Sequence, residues 1–174
     1  RPVDGEAALA AALQREMLAR AGRNTIFQAA LAANVLAAAP PLGIFRRFVV
    51  DRDGEHRDGL DIKKRGVLPV TEIARLHALA RGVTVINTGE RLDVLKRGGH
   101  LAAEDAGNLS DALGVLQELR LRHQSAQFVT GETLSNFIDP RSLPRLAREQ
   151  LRDAFTIINE AQDGVRQTFR AGLA

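Results

Sequence analysis

The stretch Leu109-Ser-Asp-Ala-Leu113-Gly-Val-Leu116-Gln-Glu-Leu119-Arg120-Leu-Arg-His123-Gln124-Ser-Ala-Gln127 decides the fold. Leu109, Leu113, Leu116 and Leu119 recur at three- and four-residue steps, the period that lines one side of an α-helix. Followed in both directions, the pattern predicts a helix from about Ala102 to Val129. A second set, Leu146, Leu151, Phe155, Ile158, Val165 and Phe169, predicts another from Pro140 or Ser142 to Arg170 with those side chains inward. Helices of about thirty residues are about 40 Å long at 1.5 Å per residue. Within one domain they bury their apolar sides by lying antiparallel in a bundle.

Upstream, helical spacing continues with punctuation where helix ends prefer it. A first helix is expected from Asp4, as N-cap, to Arg20, with Leu9, Leu13 and Met17 along one side and Gly22 ending it. Asn24 caps a second, whose face carries Ile26, Phe27, Ala30, Leu31 and Val35 until Pro40-Pro41 stops it. The short turn between them predicts an antiparallel helical hairpin. From Ile44 to about Val67 the pattern turns β-like. Phe45 to Asp51 is β-prone, Asp53-Gly54 is a turn dipeptide, and Leu60-Asp61-Ile62-Lys63 alternates apolar with polar. A third helix carries Val70, Ile73, Ala74, His77 and Ala80 and ends at Gly82. A shorter one opens at Asn87-Thr88 and closes at Gly98-Gly99. The expectation is a mostly α single domain over 1–174. It is a bundle of about six helices with two long C-terminal antiparallel ones and a short inserted β-hairpin at about 44–67.

Composition narrows the function classes. The chain has 174 residues, enough for one domain with a sizeable core. It contains no cysteine, which excludes disulfide frameworks, thiolate metal sites and cysteine nucleophiles. Lys plus Arg number 24 against 21 Asp plus Glu, so the pI of about 10.1 reflects arginine and not a large surplus of charge. With no Trp, no Tyr and seven Phe, base stacking has few platforms, which argues against nucleic-acid binding. No apolar run reaches the ~20 residues of a membrane span, and Arg1-Pro-Val-Asp-Gly is not a secretory signal. A soluble, cytoplasmic protein is expected. The lack of a starting Met suggests a piece of a longer chain.

Four constellations invite chemistry. Asp51-Arg-Asp53 places two carboxylates on one face of a strand, the pattern of a two-magnesium site. No Gly-Ser pair occurs anywhere to cradle a triphosphate beside it, and the same residues suit a hairpin tip. Asp61, Lys63, Lys64 and Arg65 lie just before a helix start, where cations and free N–H groups bind phosphate together. A solvated turn with Asp61 pairing locally is the other reading. Arg120, His123, Gln124 and Gln127 continue the apolar seam of the long helix as a polar one, so the helix there either emerges into solvent or lines a polar pocket. His56, His77, His100 and His123 show no metal-ligand spacing, and no G-x-S-x-G, Walker loop or G-x-G-x-x-G occurs.

Leu60-Asp-Ile-Lys-Lys-Arg-Gly-Val-Leu-Pro-Val-x-x-Ile-Ala-Arg-Leu76 is followed by Asn87-Thr88 and Glu90-Arg-Leu92. Then come Leu119-Arg-Leu-Arg-His-Gln124, Asp139-Pro140 and Leu151-Arg-Asp-Ala-Phe155. In this order the blocks resemble the family called putative nucleotidyltransferase substrate-binding domain, over nearly the whole chain. The family is the C-terminal helical portion of bacterial signalling proteins. Upstream of it lie cyclic-nucleotide-binding or paired CBS modules and a nucleotidyltransferase domain similar to that of the PII-protein uridylyltransferase. The resemblance implies an accessory domain without catalytic residues of its own. Magnesium and a nucleoside triphosphate are then expected in the parent protein and no cofactor in this segment. The implied partners are the upstream domains, a protein or small-molecule acceptor and a second copy in a homodimer. It also implies that Asp61, Lys63, Lys64, Arg65, Arg120, His123, Gln124 and Gln127 form or border the substrate-binding surface. The competing expectation is a regulatory or dimerisation module that couples sensor domains to their output and exposes an apolar patch.

Overall fold

A computed structural model describes residues 6–38, 40–43, 47–50 and 58–169. Six α-helices carry it: α1 (Ala7–Arg23), α2 (Thr25–Ala37), α3 (Leu68–Ala80), α4 (Thr88–Arg97), α5 (Ala103–Thr130) and α6 (Arg145–Thr168). Two strands, β1 (Leu60–Asp61) and β2 (Phe137–Ile138), form an antiparallel ribbon, and a π-helical turn, Lys63–Val67, joins β1 to α3. Two caps are those the sequence announces, whereas α1 runs through Gly22 to Arg23. Asn24 Oδ1 accepts from the Phe27 N–H at 2.9 Å, and Asn87 Oδ1 accepts from the Glu90 N–H at 3.2 Å.

The two long helices pack against each other antiparallel. Asp105 and Asn108, in the first turns of α5, share a hollow of about 270 Å³ with Glu160 and Gly164 near the end of α6. Leu109, Leu113, Leu116 and Leu119 are all buried, and they meet Leu151, Phe155, Ile158 and Val165 in a core completed by Val70, Ile73, Leu92 and Val35. Gln162 reaches from α6 into this core, and its Nε2 donates to the Val35 and Ala38 carbonyls at 2.8 and 2.9 Å. It thereby satisfies two groups at the C-terminal end of α2 that the helix cannot pair itself.

Several expectations are corrected. Leu9, Leu13 and Met17 are 68, 71 and 51% exposed, and α1 buries Leu18 and Ala21 instead. On α2, Ile26 and Phe27 are exposed while Ala29, Ala32 and Val35 face inward. Small alanines form much of the α2 face against the core, with Val35 buried among them and Leu31 and Leu36 partly buried beside it, while Ile26 and Phe27 point outward. Leu146 on α6 is exposed as well. The helix starts at Arg145 after Pro144, so the residues from Pro140 to Leu143 form a turn ahead of it.

A two-stranded antiparallel ribbon is present, and its first strand, Leu60–Asp61, lies inside the excursion expected at about 44–67, whereas its second strand does not. That second strand is Phe137–Ile138, with Leu60 opposite Ile138 and Asp61 opposite Phe137. From Ile62 onward the chain is helical, not extended. Upstream, Phe48 makes a single antiparallel bridge with Leu42. Asp4, Phe45, Asp51, Asp53, His56 and Arg170 lie outside the described residues. No helix among the described residues is long and apolar enough to cross a membrane.

Candidate functional site

The ribbon brings the two predicted clusters together. At its inner end the Ile62 N–H donates to the Asn136 carbonyl at 3.0 Å. The Asn136 side chain takes up α5: its Oδ1 accepts from Arg120 Nε at 2.7 Å and from Gln124 Nε2 at 3.4 Å. One residue earlier, the Ser135 N–H donates to Gln127 Oε1 at 2.9 Å, Gln127 Nε2 donates to Ser135 Oγ at 3.1 Å, and Gln124 Nε2 donates to the Ser135 carbonyl at 3.4 Å. His123 Nε2 lies 3.5 Å from Ser135 Oγ. Partial burial lowers the His123 imidazole pKa from its ordinary value, against the opposing charge of Glu132.

The polar seam of α5 therefore neither runs free into solvent nor lines an open pocket. It is covered by the chain's own return segment, residues 131–136. Gly131 starts that segment, with a φ of 73° that a side chain disfavours, and its N–H closes the end of α5. The partners of Arg120, Gln124 and Gln127, chiefly Asn136 and Ser135, are the residues that sequence reasoning missed. The Ser135-Asn136 pair ahead of a β-prone Phe137-Ile138 was the only signal for them.

On the β1 side, Asp61 Oδ1 accepts from the Lys64 N–H at 2.9 Å and so caps the π-helical turn. In that turn the Leu68 N–H bonds five residues back, to the Lys63 carbonyl, which makes a wider loop than an α-turn. Gly66 sits at its inner side. A Cβ there would come within 2.8 Å of Leu116 Cδ2 and 3.3 Å of Phe155 Cε1, so only glycine allows the turn to lie this close to the core. With the inner side pressed down, Lys63 and Lys64 are exposed and Arg65 is half-buried. The structure thus places Asp61, Lys63, Lys64 and Arg65 at one strand of the ribbon and Arg120, His123, Gln124 and Gln127 behind the other.

Beyond the outer end of the ribbon lies a hollow of about 290 Å³ that the sequence did not announce. Arg47, Arg141, Arg148 and Arg152 line it together with Asp58, Asp139 and the ring of Phe48. Arg141 ties the two strand ends: its Nη2 is 2.8 Å from Asp58 Oδ2 and 3.2 Å from Asp139 Oδ2. Burial alone would raise the Asp139 carboxyl. The hydrogen bonds from the Arg141 side chain and N–H, with the Arg141 and Arg148 charges, outweigh it and hold the carboxyl below its ordinary value. The Arg152 guanidinium stands 5.2 Å over the Phe48 ring, which meets Phe155 edge-on at 6.3 Å and so joins the hollow to the core. The i, i+4 spacing of Arg148 and Arg152, with Arg141 in the turn ahead of α6, was the available signal. None of the eight predicted residues lines this hollow.

Among the described residues no group of three or more His, Asp or Glu could hold a metal ion. The family model described as "Putative nucleotidyltransferase substrate binding domain" matches residues 25–169, every element from α2 to α6. No curated protein and no solved structure matches the chain.

Proposed function

The chain belongs to the putative nucleotidyltransferase substrate-binding domain family, and we propose that it acts as the accessory substrate-binding domain of a uridylyltransferase-like enzyme in a bacterial, cytoplasmic signalling protein. In this reading it closes one side of a cleft whose metal-bound nucleoside triphosphate is held by a separate nucleotidyltransferase domain. Upstream cyclic-nucleotide-binding or CBS modules supply the signal. The observation that carries the reading is the β1–β2 ribbon, which gathers Asp61, Lys63, Lys64 and Arg65 beside Arg120, His123, Gln124 and Gln127. Exposed ammonium groups on a rigid turn can orient an anionic substrate. Such positioning converts binding energy into rate without supplying a nucleophile or base.

In this reading magnesium is held by the separate nucleotidyltransferase domain. The part of the ribbon residues is to bind and orient. The test is an NMR titration of the 174-residue chain with UTP or ATP and Mg²⁺. Shifts concentrated at Lys63–Arg65 and Arg120–Gln127 support the reading. If neither segment responds while the chain remains folded, nucleotide binding by the ribbon surface is wrong.

A second reading, a dimerisation or regulatory module, has its own support in α1. Leu9, Leu13 and Met17 make an exposed apolar row on a helix that precedes the matched residues, and Ile26 and Phe27 are exposed close by in the chain. Contiguous exposed apolar patches mark interaction surfaces, whereas apolar residues exposed singly do not. Light scattering at increasing concentration decides: self-association that Leu13→Glu abolishes favours it, and a monomer at all concentrations removes the dimer.

A further inference from the structure

We propose that the exposed row of α1 is the contact face of a symmetric dimer, in which α1 packs antiparallel against α1 of a second copy of this chain about a twofold axis at Leu13. The proposal rests on the dimerisation reading and deepens it by naming the occupant, the direction of the two helices and the groups that pair. A dimer joined in another way refutes it and leaves that reading standing.

The helix is short of partners within its own chain. α1 runs for 17 residues yet buries only Leu18 and Ala21, and a helix in water is held chiefly by packing an apolar face. Leu9, Leu13 and Met17 are each more than half exposed. At four-residue steps their side chains are neighbours, so they make one contiguous stripe. The stripe continues beyond the helix. Leu13 and Met17 also line a hollow of about 680 Å³ together with Val83, Val85 and the exposed Ile86. Gln14 fixes that segment to α1, its Nε2 donating to the Thr84 carbonyl at 2.8 Å.

The order of charges selects a second α1 to cover the stripe. At 3.6 residues per turn, Leu9 and Met17 lie about 40° to either side of Leu13, and Glu6 and Arg20 about 20° to either side. An antiparallel twofold at Leu13 therefore sets Leu13 against Leu13, Leu9 against Met17 and Glu6 against Arg20. A contact between identical faces requires this self-complementarity, and here apolar meets apolar at the centre while acid meets base at both ends. In a parallel pair the same stripe sets Glu6 against Glu6 and Arg20 against Arg20. Both groups are exposed, with Glu6 at the N-cap of α1. Among the described residues Glu6 makes no ion pair. Arg20 gives its Nε to Glu16 at 2.6 Å, and the guanidinium keeps its terminal N–H groups for Glu6 of the second copy.

The 174-residue chain contains no cysteine, so single introduced cysteines report the arrangement directly. Leu13→Cys, Leu9→Cys and Met17→Cys chains are oxidised at a concentration where light scattering of the wild type gives a dimer, and the disulfide-linked products are identified by mass. Leu13→Cys is expected to link to itself, with Leu9→Cys and Met17→Cys doing so about tenfold more slowly, because only position 13 brings its own Cα atoms within disulfide reach. An equimolar mixture of the last two is expected to give the mixed product. Glu6→Arg or Arg20→Glu alone sets like charges together at both ends and is expected to weaken the dimer about tenfold, and the two combined in one chain to restore it. Each variant is compared only where its circular dichroism matches the wild type. Equal self-linkage of all three single-cysteine chains overturns the antiparallel twofold. A dimer that neither charge reversal weakens, or a combined variant as weak as the single ones, overturns it as well. In these cases dimerisation itself stands. A wild-type chain that stays monomeric at every concentration overturns the proposal and the dimerisation reading together.

Discussion

His77 sits 7% exposed on α3, edge-on to the Phe169 ring at a centroid distance of 5.3 Å, and lines the hollow between the start of α5 and the end of α6. Burial, with help from the Arg81 charge and against that of Asp105, lowers its pKa from 6.5 to about 4. Below 6.5 the unfolded chain therefore takes up a proton that the folded chain refuses until about pH 4. The sign follows from proton linkage. The contribution of neutral His77 is complete above about pH 6.5 and is lost progressively as the pH falls towards 4. Between pH 8 and pH 5 the loss amounts to about 2 kcal/mol. His123, also lowered by burial, adds in the same direction, so the difference between wild type and a His77→Gln chain isolates His77. Urea denaturation of both proteins at pH 8 and pH 5 measures it. The wild type is expected to lose about 2 kcal/mol more than the variant over this interval. If the two lose the same amount within about 0.5 kcal/mol, His77 is not held neutral by the fold and the reasoning fails.

Three further outcomes test the architecture. Gly66→Ala forces a methyl group against Leu116 and Phe155, both fully buried, and is expected to cost about 1–3 kcal/mol in chemical denaturation. Gln162→Leu removes the donor to the Val35 and Ala38 carbonyls. It should destabilise by about 1–3 kcal/mol and speed amide exchange at the end of α2, whereas an unchanged melting curve would mean that those carbonyls find water. Asn136→Ala removes the acceptor of Arg120 Nε and leaves Gln124 Nε2 with the Ser135 carbonyl. A loss of about 1 kcal/mol is expected, with Arg120 Hε shifted in the NMR spectrum, and an unmoved Arg120 signal would show that the contact is not kept in solution.

Helix positions, their caps and the antiparallel pairing of α5 with α6 could be read in advance because each depends on residues near one another in the chain. Asn24 and Asn87 satisfy N–H groups three residues on. The leucine row of α5 needs only an apolar neighbour. The side of α1 that would be buried did not follow from periodicity. Leu9, Leu13 and Met17 form an acceptable inward stripe by spacing alone, yet the contact made by α3 falls on the Leu18 and Ala21 side. Amphipathic spacing describes a face; it does not supply the surface that covers it.

The candidate site divides along the same line. That Asp61, Lys63, Lys64 and Arg65 precede a helix, and that the α5 seam turns polar at Arg120, are local facts carried by residue type and period. That the two meet is not local. It requires β1 to pair with a strand from the far end of the chain, so that Asn136 bonds both Ile62 and Arg120. The arginine hollow is further still from any linear pattern, since Arg47, Asp58, Arg141, Arg148 and Arg152 come from three separated stretches. Residue order therefore settled the helical bundle and the chemical character of each segment. Which charged groups share a site was left to tertiary structure, because two-residue strands carry too little pattern to name their partners and electrostatic neighbours are set by packing.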